Sequence, residues 1–295
     1  MSVPSPEGTA AVVVLFQPQG DLCDRLRRVL PQVAKLVIIA NDGLSSERLG
    51  NLPRGKIHYI LELSNRGLGV ALNLGLDTAQ AAGMTWALLL DQDSVVDEGL
   101  VEGLRRLYDQ LPKVEAVAVL APNYRSPLSN KLAYATEPSA QAVSTVITSG
   151  SMVRLEALSK AGRMNENLFI EGIDLEFSLR ARKTGYQLWV SGPPLMTHGA
   201  GQCAERQFGR RTVLISHHSA WRYYLQFRNV SWILWRYVTF DPAWSLQAVI
   251  GLGKKFILIL LFERQRPIKV LAIICGLFDG TVNRLGRGPH FLMVG

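Results

Sequence analysis

The sequence predicts an α/β fold: a doubly wound, mostly parallel sheet with helices on both faces, joined to a C-terminal helical, membrane-associating extension. Three observations lead there. Apolar, β-branched runs alternate with helical patterns over roughly the first 200 residues. Those runs are apolar throughout, as strands covered on both faces are, and do not alternate apolar with polar. Charge and hydropathy also change character after residue 204. In chain order, AAVVVLF (10–16) reads as a strand because it is a β-branched apolar run, and DLCDRLRRVLPQV (21–33) as a helix because its apolar residues recur at helical spacing. KLVIIAND (35–42) is a second strand, LGVALNLGLDTAQAAG (68–83) a second helix, WALLLDQD (86–93) a third strand and EGLVEGLRRLYDQL (98–111) a third helix. In open α/β sheets ligands bind outside the carboxyl ends of the strands. That rule gathers Phe16 to Pro18, Asn41 with Asp42, and Asp91 to Ser94 around one crevice.

Composition narrows the class. A chain of 295 residues can bury a substantial core, and 48% hydrophobic residues exclude a disordered protein. The mean hydropathy of +0.13 exceeds that of an ordinary soluble enzyme. Cys23, Cys203 and Cys275 are far apart, which argues against a disulfide framework or a thiolate zinc site and fits a reducing cytoplasm. The opening MSVPSPEGTA lacks the basic and apolar regions of a secretory signal. Residues 1–204 hold 19 Lys+Arg against 20 Asp+Glu, whereas 205–295 hold 13 against 4, so the net +8 divides into −1 and +9. A boundary is therefore expected between 1–204, carrying the site, and 205–295, basic and apolar. Within the latter, VSWILWRYV, FILILLF and VLAIICGLF each fall short of the roughly 20 residues that cross a bilayer. They are expected to lie on a membrane. Lys and Arg interleaved with Trp and Leu favour an anionic lipid surface, at about 1 kcal/mol per nearby cation. Helices packed against the first domain have the same periodicity, so that reading stays open. Nucleic acid is disfavoured because aliphatic residues surround the charges.

The acids carry the chemistry. Asp91 and Asp93 end a buried strand, where a carboxylate needs a partner. At this spacing one acid can turn toward a hard divalent cation that bridges a diphosphate and the other toward a sugar or its waters, although turn and helix-cap roles suit the same residues. Asp42 can accept the imide N–H of uracil or thymine, or serve in a turn before Gly43. NRGLGVALNLG opens a helix, so Arg66 and the backbone amides suit a diphosphate; its glycines do not make GxGxxG, which disfavours hydride transfer. In FIEGIDLEFSLRARKTGY, Glu171, Asp174 and Glu176 cluster at a helix start, where acids also stabilise the macrodipole by roughly 0.3–1 kcal/mol.

Taken in order, VVVLFQP, IIANDG, NRGLGVALNLGL, LLLDQDS, TSGSMVRLEAL and FIEGIDLEFSLRARKTGY, followed by YYLQFRN, resemble the family 2 inverting glycosyltransferases of GT-A fold over about residues 10–230. The DQDS and FIEGIDLEF forms resemble the bacterial rhamnosyltransferases of surface polysaccharide. Gln17 and ANDGLS depart from the forms common in relatives. The resemblance implies a nucleotide-sugar-binding and catalytic domain over 1–204, with Asp174 as the base. Asp42, Arg66, Asp91, Gln92 and Asp93 would bind the donor, Glu171 and Glu176 the acceptor, and Arg222 and Arg228 the diphosphate. Asp93 and His198 would ligate Mg2+ or Mn2+. Tyr223 and Tyr224 are read as packing residues. The implied reaction moves L-rhamnose from dTDP-L-rhamnose to a lipid-linked or oligosaccharide acceptor at the inner face of the plasma membrane, with peripheral contact through 230–295 and no nucleic-acid partner. The alternatives are a UDP-hexose or galactofuranose transferase, and a non-catalytic nucleotide-sugar-binding scaffold.

Overall fold

The computed structural model describes residues 2–18, 20–43, 49–50, 52–199, 204–208, 211–289 and 292, with backbone alone for 204–208 and 211–214. Cys203, the end of ANDGLS (44–45) and residues 200–202 after His198 lie outside the described residues. Two compact units result: Met1–Asn165 with Asp174–Gly199, and Glu166–Ile173 with Ala200–Gly295.

The first unit is built on one mixed sheet. Its strands are β1 (Thr9–Leu15), β2 (Lys35–Ala40), β3 (Ile57–Leu61), β4 (Trp86–Asp91), β5 (Val95–Val96), β6 (Val117–Arg125), β7 (Ala140–Ala142), β8 (Met152–Arg154) and β9 (Gln187–Thr197). They follow the order β3-β2-β1-β4-β8-β6-β9-β5, with β7 also on β9. β3, β2, β1 and β4 run parallel, as expected of the unbroken apolar runs of β1, β2 and β4; β3 (IHYIL), half-exposed and interrupted by His58, was missed from sequence. The short β8 runs antiparallel to both β4 and β6, and β6 is again parallel to β9. Helices α1 (Leu22–Val29), α2 (Leu68–Ala81), α3 (Leu100–Asp109), α4 (Leu158–Ala161) and α5 (Ile173–Lys183) complete the α/β pattern. α1 starts on Asp21, whose side chain accepts the Asp24 N–H. The predicted strands 35–42 and 86–93 stop two residues early, at Ala40 and Asp91, where their polar ends turn out of the sheet.

The second unit holds the hairpin β10 (Ala204–Phe208) and β11 (Arg211–Ile215), followed by α6 (Ala220–Tyr237), α7 (Pro242–Phe262) and α8 (Arg266–Thr281). Ser219 caps α6 by accepting the Arg222 N–H, and Asp241 caps α7 by accepting the Trp244 N–H. One expectation is corrected. FILILLF is only the end of α7, a helix of 21 residues whose most apolar window has mean hydropathy 1.7, long and apolar enough to cross a membrane. Gly251, Gly253, Lys254 and Lys255 interrupt the apolar run but not the helix, because neither Gly nor Lys blocks backbone hydrogen bonding.

α6 and α8 meet where small residues allow it. A Cβ on Gly276 would lie 2.5 Å from the Tyr224 carbonyl oxygen, and one on Gly280 would meet that of Arg228. Backbone cannot yield as a flexible side chain can. Gly276→Ala is therefore expected to lower stability by roughly 1–3 kcal/mol, the cost of overpacking exceeding the ~1 kcal/mol gain in helix propensity. Denaturant titration checks it; an unchanged or raised midpoint would show that the helices separate freely.

The same unit buries a charge cluster. Glu263 accepts from Tyr223 Oη at 2.7 Å, Lys269 Nζ at 2.7 Å and the His217 N–H at 3.0 Å. Nearby, burial and then the Arg222 cation push His218 down to about 4 from the usual 6.5. A depressed folded-state value means that the unfolded chain takes up the proton first, so this contribution is whole above pH 6.5 and is lost as pH falls towards 4. Melting temperature should drop over that window, and less steeply in His218→Asn. Parallel curves for the two proteins would remove His218 from the account.

Candidate active site

The carboxyl ends of β1, β2 and β4 converge through named bonds. The Gln92 side chain binds the Phe16 backbone both ways, accepting its N–H at 2.8 Å and donating to its carbonyl at 3.0 Å. The Asp42 carboxylate accepts the Gln17 N–H, with Gln17 held at φ +47°. Buried Asn41 accepts the Arg66 N–H at 3.2 Å and donates to Asn65 Oδ1 at 3.1 Å, joining the end of β2 to the turn before α2. At that turn Gly67 adopts φ +97°, open to glycine with little strain, and α2 begins. Arg66 leaves most of its side chain in solvent, 3.7 Å from Glu62. Gln92, read from the sequence as a donor ligand, is thus placed as a brace between β1 and β4, its amide already used by backbone.

Past Asp91 the chain turns, with the Ser94 N–H on the Asp91 carbonyl at 3.2 Å and the Ser94 and Ser149 hydroxyls bonded to each other. β5 then pairs antiparallel with the end of β9, Val95 opposite Thr197. That pairing delivers the next residue of the chain, His198, to the two acids. One ligand atom each from Asp91, Asp93 and His198 lies within 4.8 Å of the others. The His198 backbone N–H is fixed on the Arg125 carbonyl at 3.1 Å, and its ring meets the Tyr124 ring edge to face at 5.6 Å. Among the described residues His198 Nδ1, which is buried, has no hydrogen-bond partner. Burial pushes the imidazole below its ordinary pKa, against the opposing pull of Asp93. A neutral imidazole with an unsatisfied nitrogen beside two carboxylates is a donor set that fits a divalent cation. Asp91 joins a set that the sequence reading limited to Asp93 and His198.

Asp174 stands in the first turn of α5 and accepts the Leu175 N–H at 2.8 Å. It borders a small cavity lined also by Val146, Thr148, Met164, Phe177 and Ser178. Burial raises the Tyr124 and Tyr134 phenols, and the Asp174 charge adds to both shifts. These tyrosines, on and just after β6, bring aromatic surface to the acids and were missed from sequence, since nothing local marks them.

Two expected contacts are corrected. Glu176 is 3% exposed, and Arg180 grips both its oxygens, at 2.8 Å from Nε and 2.9 Å from Nη2. Arg180 also binds the Ala161 and Arg163 carbonyls. Arg180 thus ties α5 to the segment before it and holds the Glu176 carboxylate buried, out of reach of an acceptor. Arg228, in the second unit, is fully buried and donates to Asn229 Oδ1 at 2.8 Å, the Gly286 carbonyl at 2.6 Å and the Leu168 carbonyl at 3.3 Å. Its guanidinium is consumed by carbonyls, so a diphosphate cannot claim it. Arg222 is half-buried and binds Glu171 Oε1 at 2.5 Å. Asn229 holds the Glu171 carbonyl, also at 2.5 Å. Tyr223 and Tyr224 are buried.

Residues 13–156 match the family model for glycosyl transferase family 2. Over 238 residues the chain is 26% identical to dTDP-rhamnosyl transferase RfbF of Shigella flexneri, covering 76% of this chain and 79% of that one. The crystal structure of S. aureus TarS 1-349 superposes with a TM-score of 0.62 at 11% identity, covering 94% of this chain and 81% of the other. Its complex with UDP gives 0.56 at 13%, covering 94% and 90%. GalNAc-T7 with UDP, GalNAc and Mn2+ gives 0.52 at 13%, covering 64% and 42%. These likenesses show a GT-A type fold.

Proposed function

We propose, for a chain that is a glycosyltransferase with its family 2 domain at residues 13–156, that it transfers L-rhamnose with inversion from dTDP-L-rhamnose to a growing cell-surface glycan. The observation that carries the chemistry is the grouping of Asp91, Asp93 and His198 at the strand ends. The likeness to the Shigella rhamnosyl transferase carries the donor. Asp91, Asp93 and His198 would hold Mg2+ or Mn2+, which when bound offsets the charge of the donor diphosphate. Asp42 accepts the imide N–H of the base, and Arg66 faces the diphosphate before α2. Asp174 takes the proton from the acceptor hydroxyl as that oxygen attacks the anomeric carbon, which sets the inverted configuration. Arg222 offsets leaving-group charge, and Glu171 orients it and acceptor hydroxyls. The region 205–295 holds the enzyme at the inner face of the plasma membrane, where a lipid-linked acceptor is presented.

A UDP-hexose or UDP-galactofuranose donor is the second reading, favoured by the fold shared with UDP-bound TarS. A panel of nucleotide sugars screened for thermal stabilisation with and without Mg2+ or Mn2+ separates the two. A ligand at 100 times its Kd adds about 2.7 kcal/mol. dTDP-rhamnose should raise the melting temperature in a metal-dependent way and most strongly. A response to UDP sugars alone would overturn the rhamnose assignment.

A further inference from the structure

We propose that the second unit docks on an anionic bilayer with α7 lying in the plane of the interface and not crossing it. This deepens the membrane contact proposed above and rests on it, but it is independent of the donor and the metal.

The inward face of α7 is tied down along its whole length. Asp241 caps its start, and Trp244, Ser245 and Ile259 are buried. Leu252 and Phe256 pack on the cluster of Tyr223, Phe227 and Ile273 from α6 and α8. Lys255 Nζ binds Gln226 of α6 at 2.9 Å. Just past its end, Glu263 is locked by Tyr223 and Lys269. A spanning α7 would have to leave all of these and carry Lys254 and Lys255, near the middle of its 21 residues, into the bilayer centre, where charge is strongly disfavoured.

Its outward face is different. Leu246, Val249, Ile250, Ile257, Leu260 and Leu261 are exposed, Leu246 by 62% and Ile257 by 55%. At 100° per residue they fall within an arc of roughly 120°, with exposed Lys254 just beyond its margin. α8 adds an exposed stripe of Ile268, Leu271, Ile274 and Phe278, continued by Val282 just past its end and flanked in sequence by Arg264, Arg266, Arg284 and Arg287. A helix that is apolar outward, tethered inward and edged by cations has the form of an interfacial helix. Charge selects the occupant. With 13 basic residues against 4 acidic in 205–295, two copies facing each other repel, whereas anionic lipid attracts.

The test uses the full chain with vesicles of phosphatidylcholine containing 30% phosphatidylglycerol, and with phosphatidylcholine alone. Flotation at low salt should recover at least about ten times more protein with the anionic vesicles. The double variant Ile250→Glu, Ile257→Glu should lose that recovery while keeping wild-type melting and donor-induced stabilisation. Environment-sensitive labels on single cysteines at Leu246, Ile250, Ile257 and Leu261 should report one common shallow depth, with Lys254→Cys remaining closer to water. Depth rising to a maximum near the helix centre would overturn the proposal in favour of a span. Failure to float, with a dimer that the double variant dissociates, would overturn it in favour of a second copy. Failure of the donor panel with flotation intact would concern the reaction alone.

Discussion

Asp93→Asn is expected to lower turnover in the presence of Mg2+ or Mn2+ by about 10³-fold or more, the equivalent of several kcal/mol of charge stabilisation. The amide keeps the shape of the side chain but removes the charge that a hard cation selects. Asp93 is exposed, so the variant should fold and melt as the wild type does. What remains is Asp91 and a neutral imidazole, one anionic ligand where two stood within 4.8 Å of His198. Initial rates across a metal titration, read beside melting curves, check the outcome. Full activity at millimolar metal would withdraw Asp93 from the metal site.

Asp174→Asn should separate binding from chemistry. The asparagine Oδ1 can still accept the Leu175 N–H that the carboxylate accepts at 2.8 Å, so the first turn of α5 keeps that bond. It cannot take a proton from an acceptor hydroxyl. Transfer should fall at least about 10²-fold, the low end for a general base, while the donor still raises the melting temperature. Lost donor stabilisation with near-normal turnover would make Asp174 a binding residue and move the base elsewhere.

Much of this site was legible because it is encoded locally. Apolar runs without alternation required a covered parallel sheet, and the runs ending at Leu15, Ala40 and Asp91 required their following residues to share one edge. Asp91 and Asp93 announce themselves because two carboxylates after LLL must be paired or solvated. The turn bonds of Gln92 and Asp42 follow from that convergence, yet no sequence window joins Phe16 to Gln92, 76 residues apart.

The sequence by itself determined the α/β class, the crevice at the strand ends, the pair of acids and the basic, apolar character of the last 91 residues. Periodicity and charge balance are sums over neighbours in the chain. Only the tertiary structure decided which charged groups are free. It sealed Arg228 among carbonyls and Glu176 against Arg180, paired half-buried Arg222 with Glu171, left Asp93 exposed, and carried His198 to the acids through the pairing of β5 with β9. It also joined α7 into one tethered helix whose apolar side faces outward. The reason is physical: an ionised side chain costs the same to desolvate wherever it stands in the chain. Whether that cost is met depends on groups that folding brings within about 3 Å from far along the sequence.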